Sequence, residues 1–406
     1  MHIIFVEPNF PAAQRQFVRA LKQVGAQVTG IGETPPHALP PEVTQYLDGY
    51  EQVRSVTDEQ ALYDAVRRVQ SRGWVDRMEA TIEAHMLSTA RVREMCGIPG
   101  VSYQQTLICR DKTLMKEFMR EHGIPCAQSR SADSPEQITQ FGHQVGYPII
   151  IKPRDGAGAS KTWKVESEAD LAPALWDTGV LNGRSVAVEE FIEGHEGFYD
   201  TLTVNGVIVH DFICHYYPNV LEGMRHRWIS PMIVCTNRMD APGYSELKEM
   251  GAKVIRELGL STTPTHMEWF AGAKGLKFSE IGVRPPGVSH WDVYCAANEI
   301  DIYKEWADAL TYGRTWGHLN RRYSAAILAL RPTQDGHIER YSGLDEMQAK
   351  YGQWVFNAYI PPIGAHTQPV EAGYMANVWL HIRHPDYDTL QEMCMEIANR
   401  VKVIAS

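Results

Sequence analysis

What this chain lacks narrows its possible roles first. No stretch of its 406 residues approaches the ~20 consecutive apolar residues that a membrane-crossing helix needs. The apolar opening Met1–Val6 runs straight into Glu7 and Pro8, too short for the hydrophobic region of a secretory signal. Cysteine is sparse: seven scattered thiols, odd in number and without a C-x-x-C pair, are the usage of a reduced, cytoplasmic protein. Basic residues are in deficit, 39 Lys+Arg against 49 Asp+Glu for a formal net charge of −10. The densest basic cluster, Arg225 and Arg227 with His226 between them, is too short to track a nucleic-acid backbone. The sixteen histidines do not cluster at metal-ligand spacing, and no internal repeat or low-complexity tract is present. These absences exclude nucleic acid and membrane as partners and leave small molecules.

What is present is ordinary globular material, 44% apolar and 22% charged, enough for roughly two to four domains. The first hundred residues alternate strand and helix signals: strands at His2–Val6, Val28–Ile31 and Gln52–Val56, and helices at Ala12–Val24 and Asp58–Arg72. That alternation predicts a parallel, doubly wound sheet. No G-x-G-x-x-G follows the first strand, which argues against a dinucleotide site there. Asp111–His122 reads as a helix with Asp111 as N-cap and Gly123 and Pro125 as its stop. Strand signals then take over at Tyr147–Ile151, Thr162–Val165, Val186–Phe191, Tyr199–Val204 and Val207–Ile213, the last two joined by the turn Asn205-Gly206. A helix at Tyr244–Leu258 precedes a strand pair at Thr265–Ala271 and Leu276–Ile281. From Gly317 onward the pattern is mixed, with strands at Ser324–Leu330 and Met375–Ile382 and a closing helix at Leu390–Val401.

Three features carry chemistry. Glu268 and Glu280 fall opposite each other if the hairpin between them turns near Lys274. Opposed carboxylates repel, and a hard divalent cation with oxygen ligands turns that cost into a gain; a slipped register that sends both into water is the other reading. Second, Lys152 ends a buried-looking strand and leads into the small-residue loop Gly156, Ala157, Gly158, Ala159, Ser160, where backbone N–H groups can approach an anion. A Walker A loop is excluded, because Ser160 stands where glycine should precede Lys161 and a strand, not a helix, follows. In isolation a plain hairpin tip explains the loop better. Third, Lys112 occupies a helix first turn, where the macrodipole disfavours a cation unless a phosphate lies nearby. Cys109 reads as a packing thiol, and His381 and His384 point to opposite sides of a strand.

In order, these pieces resemble the ATP-grasp superfamily. The resemblance rests on Arg110-Asp111-Lys112, Gly123-Ile124-Pro125, Gly146–Pro153, Val188–Glu196, His266-Met267-Glu268 and Glu280–Arg284, and the pattern is similar to L-amino acid ligases and other carboxylate–amine ligases. It implies an α/β protein, α+β in the ATP-binding part: a Rossmann-like domain over 1–108, the ATP-grasp domain over 109–316 with a lid at about 125–188, and a small α+β domain over 317–406. It implies that Lys112 and Lys152 contact ATP phosphates under the loop Gly156–Ser160, and that Glu189 with the backbone of Glu190 and Ile192 lines the adenine pocket. Glu196 should hold the ribose hydroxyls, Glu268 and Glu280 one or two Mg²⁺ (or Mn²⁺) ions, and Arg284 the transferred phosphoryl group. Gly282 stands where many members carry an asparagine metal ligand, a departure that dipeptide-forming members share. The segment Pro285–His290 lacks the biotin-carboxylase signature. Arg225, in the loop 223–231, and His290 are candidates for contacting substrate.

The activity implied is phosphoryl transfer from ATP to a carboxylate, then displacement by an amine to give an amide, ADP and phosphate. A carboxylase-like or carbamoyl-phosphate-synthetase-like enzyme and a non-catalytic nucleotide-binding module are the alternatives; the intact lysines and glutamates speak against the module. A homodimer is compatible with the pattern.

Overall fold

The computed structural model describes residues 1–154 and 161–406, so the expected phosphate loop Gly156–Ser160 lies outside the described residues. The chain opens with four parallel strands, β1 (His2–Val6), β2 (Gln27–Gly32), β3 (Gly49–Gln52) and β4 (Arg77–Glu79), in the order β3-β2-β1-β4. β1 is buried along its whole length, as an apolar run between helices must be. The third strand lies a few residues before the expected Gln52–Val56. Val53 and Val56 are buried, but they fill the core from the connection into the helix Glu59–Gln70 rather than from a ladder. Burial alone does not distinguish these two uses of a valine.

Four further strands, β5 (Ser129–Ala132), β6 (Ile149–Pro153), β7 (Trp163–Val165) and β8 (Val186–Glu190), form an antiparallel sheet in the order β5-β8-β6-β7. The largest sheet contains β9 (His195–Val204), β10 (Val207–Tyr217), β11 (Met232–Cys235), β12 (Thr263–Gly272), β13 (Gly275–Gly282) and β14 (Ser324–Leu330). After β15 (Ile338–Ser342), it is completed by β16 (Val355–Tyr359) and β17 (Val378–His384), in the order β13-β12-β9-β10-β11-β14-β17-β16. β18 (Lys402–Ala405) pairs with β15. The eight-stranded sheet thus runs without interruption across the expected boundary near 317.

The Asn205-Gly206 turn forms with both residues at positive φ, 50° and 82°, as a two-residue hairpin of this chemistry requires. Aromatic packing joins the first sheet to the large one: Phe17 of the helix Gln14–Gln23 contacts Trp291, Tyr303 and Trp306 from the helices His290–Asn298 and Ile302–Tyr312. Among the described residues, no helix is long and apolar enough to cross a membrane.

Candidate active site

A cavity of about 630 Å³ lies where the β5–β8 sheet, the large sheet and the helix Lys112–Glu121 meet. It is within the size range of small-molecule sites. Its charged lining comes from few elements, each fixed locally. Asp111 caps the helix, accepting from the N–H groups of Thr113 (3.0 Å) and Leu114 (3.1 Å), and Arg154 braces that carboxylate at 2.6 Å. The cap sets the helix start, and with it the direction of two lysines four residues apart. Lys112 Nζ lies 3.0 Å from Glu280 Oε2. One turn on, Lys116 Nζ lies 3.6 Å from Glu189 Oε2. Lys152, at the end of β6, reaches the same Glu189 oxygen at 3.1 Å.

Glu268 and Glu280 are paired residues across β12 and β13, through a register that the sequence does not spell out. The hairpin turns over Ala273-Lys274, with Gly272 paired to Gly275, and continues as Trp269 to Phe278. Carried on unchanged, this register would oppose Glu268 to Ser279. A bulge between Glu268 and Trp269 shifts it by one and restores the pairing of the glutamates. Gly272 fixes the hairpin tip: a Cβ there would lie 2.2 Å from the Glu193 carbonyl oxygen, so only glycine lets the tip lie against the turn that follows β8.

The electrostatics are uneven. Burial would raise the Glu280 carboxyl, but Lys112 and Lys152 outweigh it and hold Glu280 well below the usual carboxylate range. Burial works likewise on Glu189, where Lys116 and Lys152 prevail and keep it low. At Glu196 the balance is reversed: burial, reinforced by Glu268 and Glu280, outweighs Lys152 and pushes it up to about 8, while one oxygen accepts from the Val220 N–H at 2.7 Å. Beside Glu268, His266 Nε2 lies 3.7 Å from its Oε1, and His266 Nδ1 is 2.7 Å from Asp200. Burial opposes a charge on that imidazole, but Asp200 and Glu268 outweigh it and push His266 up to about 9.

The residues singled out by sequence distribute as follows. Lys112, Lys152, Glu189, Ile192, Glu196, Glu268 and Glu280 all line the one cavity. Glu190 is also at its edge, with its carboxylate turned to the Gln128 N–H and to Lys274, each at 3.0 Å. Arg284 lies on the wall, its guanidinium on Glu83, which also receives Arg110 at 2.6 Å. Arg225 lines the cavity and donates to the Thr162 carbonyl at 2.9 Å. His290 is not in the cavity wall. It opens a helix packed on the sheet, is 3% exposed, holds the Gly287 carbonyl at 2.7 Å and lies edge-on to Phe198. Burial lowers its imidazole to about 4 although Asp200 faces it. Cys109 is buried, as expected of a packing thiol.

Sequence reasoning missed Lys116, the Asp200–His266 pair and Glu83. Lys116 alone had a local signal, its four-residue spacing from Lys112 on one helix face.

Residues 117–299 match the ATP-grasp domain family. The chain carries an ATP-grasp domain. It is similar to the L-arginine-specific L-amino acid ligase of Bacillus subtilis, 28% identical over 253 residues covering 61% of this chain and 60% of that protein. The chain therefore spans about 60% of the length of that relative. A formate-dependent phosphoribosylglycinamide formyltransferase of Erythrobacter litoralis is 27% identical over 81% of this chain and 82% of its own. Among solved structures, an L-amino acid ligase from Bacillus licheniformis superposes with a TM-score of 0.79 at 17% identity, covering 100% of this chain and 98% of that one. The fold of this chain is shared with that solved structure.

Proposed function

We propose that this protein is an ATP-dependent carboxylate–amine ligase acting on amino acids. The observation that carries the reading is the convergence of Lys112, Lys152 and the opposed pair Glu268/Glu280 on one cavity. The relation to L-amino acid ligases supports the substrate class.

A divalent cation fits these residues. Among the described residues no three metal-binding side chains gather, but two carboxylates are what Mg²⁺ takes from a protein when phosphates and water complete its shell. Glu268 and Glu280 would hold it, and bound there it would neutralise charge on the phosphates. Lys112 and Lys152 bind and orient the triphosphate; a substrate carboxylate oxygen attacks the γ-phosphorus and ADP leaves. Positioning and neutralisation do most of this work. The amine nitrogen then attacks the acyl carbon, loses a proton, and phosphate departs. Arg284, which pairs with Glu83 at the wall, is the residue that stabilises the oxyanion of that step in this reading. Arg225 is the candidate for a substrate carboxylate.

The test is the fate of ATP. With an accepted amino acid, Mg²⁺ and hydroxylamine, a hydroxamate should accumulate together with ADP. Formation of AMP and pyrophosphate would show adenylation instead and overturn the acyl-phosphate route.

A further inference from the structure

Among the described residues, the segment 1–108 brings one side chain to the cavity wall, that of Glu83. It opens the short turn Glu83–His85 just past the carboxyl end of β4, the side on which open parallel sheets meet their ligands. Burial would raise this carboxyl, but Arg284 and Arg110 outweigh it and keep it below the usual range. Arg110 Nη1 donates to Oε1 at 2.6 Å, and Arg284 Nε donates to Oε2. Each oxygen thus accepts from one guanidinium.

Arg284 is held at a second point, where its Nη1 donates to the Pro285 carbonyl at 2.7 Å. A planar guanidinium anchored through two nitrogens has the direction of its third fixed. With Nε and Nη1 engaged, Nη2 is the donor left for the cavity that this residue lines. Gly282 makes room for the arrangement. A Cβ there would lie 3.4 Å from Arg284 Cγ and 3.5 Å from Glu83 Oε2, so a longer side chain would run into the pair. The glycine that replaces an asparagine metal ligand therefore leaves the space that Glu83 and Arg284 fill.

We propose that Glu83 is a positioning residue, reaching over from the first sheet to fix Arg284 so that Nη2 meets the transferred phosphoryl group. Arg110, on the other oxygen, keeps the carboxylate in place. The inference rests on the nucleotide reading of this cavity, with Arg284 at the terminal phosphoryl, and adds to it what the segment 1–108 contributes.

Titration calorimetry of the full chain with ADP and with the imido analogue AMPPNP, in Mg²⁺, tests this without any amino-acid substrate. Of the two ligands, AMPPNP alone offers a third phosphoryl group to Arg284. Glu83→Ala should weaken AMPPNP about tenfold, the worth of one charge-assisted hydrogen bond, and leave ADP within about twofold. Glu83→Met, which keeps the volume without an acceptor, serves if the alanine variant does not fold. Glu83→Gln still offers Arg284 Nε an oxygen and should retain most of the AMPPNP affinity. In the Glu83→Ala/Arg284→Ala double variant the two losses should not add, because without the arginine the carboxylate has nothing to aim. Equal weakening of both ligands by Glu83→Ala would make Glu83 a structural ion pair, and tighter AMPPNP binding would make it a restraint on Arg284. Either result overturns the inference, as would additive losses. A parent protein that binds neither ligand would sink the nucleotide reading itself.

Discussion

Strand β9 has a polar cluster on each face, and the two are built on opposite terms. On the cavity side, Glu196 and Asp200 stand near Glu268 and His266, a set of charges with anions in close company. On the other side, His195 Nε2 lies 2.8 Å from His215 Nδ1, and His215 Nε2 lies 2.7 Å from the Tyr244 hydroxyl. Those groups are neutral and satisfy one another: burial lowers His195, and burial with His195 pushes His215 down to about 3. The neutral chain is complete as it stands. The charged set is unbalanced, for Glu268 raises the buried Glu196 further than Lys152 lowers it, which is the condition of a site that a ligand finishes.

The largest effect that would sharpen this contrast is on turnover. Glu280→Gln removes half of the proposed cation-binding pair, and ligase activity should fall about a hundredfold or more with a steeply raised Mg²⁺ requirement; an ordinary Mg²⁺ dependence in a metal titration would break the assignment. Next, Lys152→Ala should weaken ATP about tenfold or more, since a charge-assisted phosphate contact contributes roughly 1.5–3 kcal/mol. Calorimetry showing unchanged affinity would remove Lys152 from the site.

On the neutral face the effect is on stability and runs with acid. His215 stays uncharged in the fold, whereas in the unfolded chain it takes a proton near 6.5. Its contribution is therefore complete above pH 6.5 and is lost as pH falls from there toward 3, at up to about 1.4 kcal/mol per pH unit. Thermal melts of His215→Asn should start lower at neutral pH and slope less between pH 6.5 and 4.5. An acid limb as steep as the parent's would mean that His215 is not what sets it.

The smallest effect has the opposite sign. Glu196 remains protonated in the fold up to about 8, although the free side chain ionises near 4.5. The ligand-free protein thus loses stability as pH rises between those values. Glu196→Gln should stabilise the fold above pH 8 by about 1 kcal/mol or more, read as a higher melting temperature, and leave stability unchanged below pH 4.5. No gain at pH 8.5 would show that Glu196 is better compensated than its surroundings indicate.

Much of this was legible in residue order alone. The Asp111 cap, the strand Ser324–Leu330 and the Asn205-Gly206 turn rest on contacts within a few residues, and local pattern is enough to fix such elements. The six segments from Arg110 to Arg284 identified the ATP-grasp relation, because their spacing is set by the fold. Other features are decided over long distances. The opposed glutamates needed a bulge that corrects a two-residue turn, and a ladder's register depends on both strands at once. Glu83 and Arg284 are 201 positions apart, and Asp200 and His266 are 66 apart. Sequence alone determined which lysines and glutamates the ATP-grasp resemblance assigns to a phosphate and a metal. Tertiary structure decided which carboxylate each lysine neutralises, because burial and counter-charge belong to the packed neighbourhood and not to any single segment.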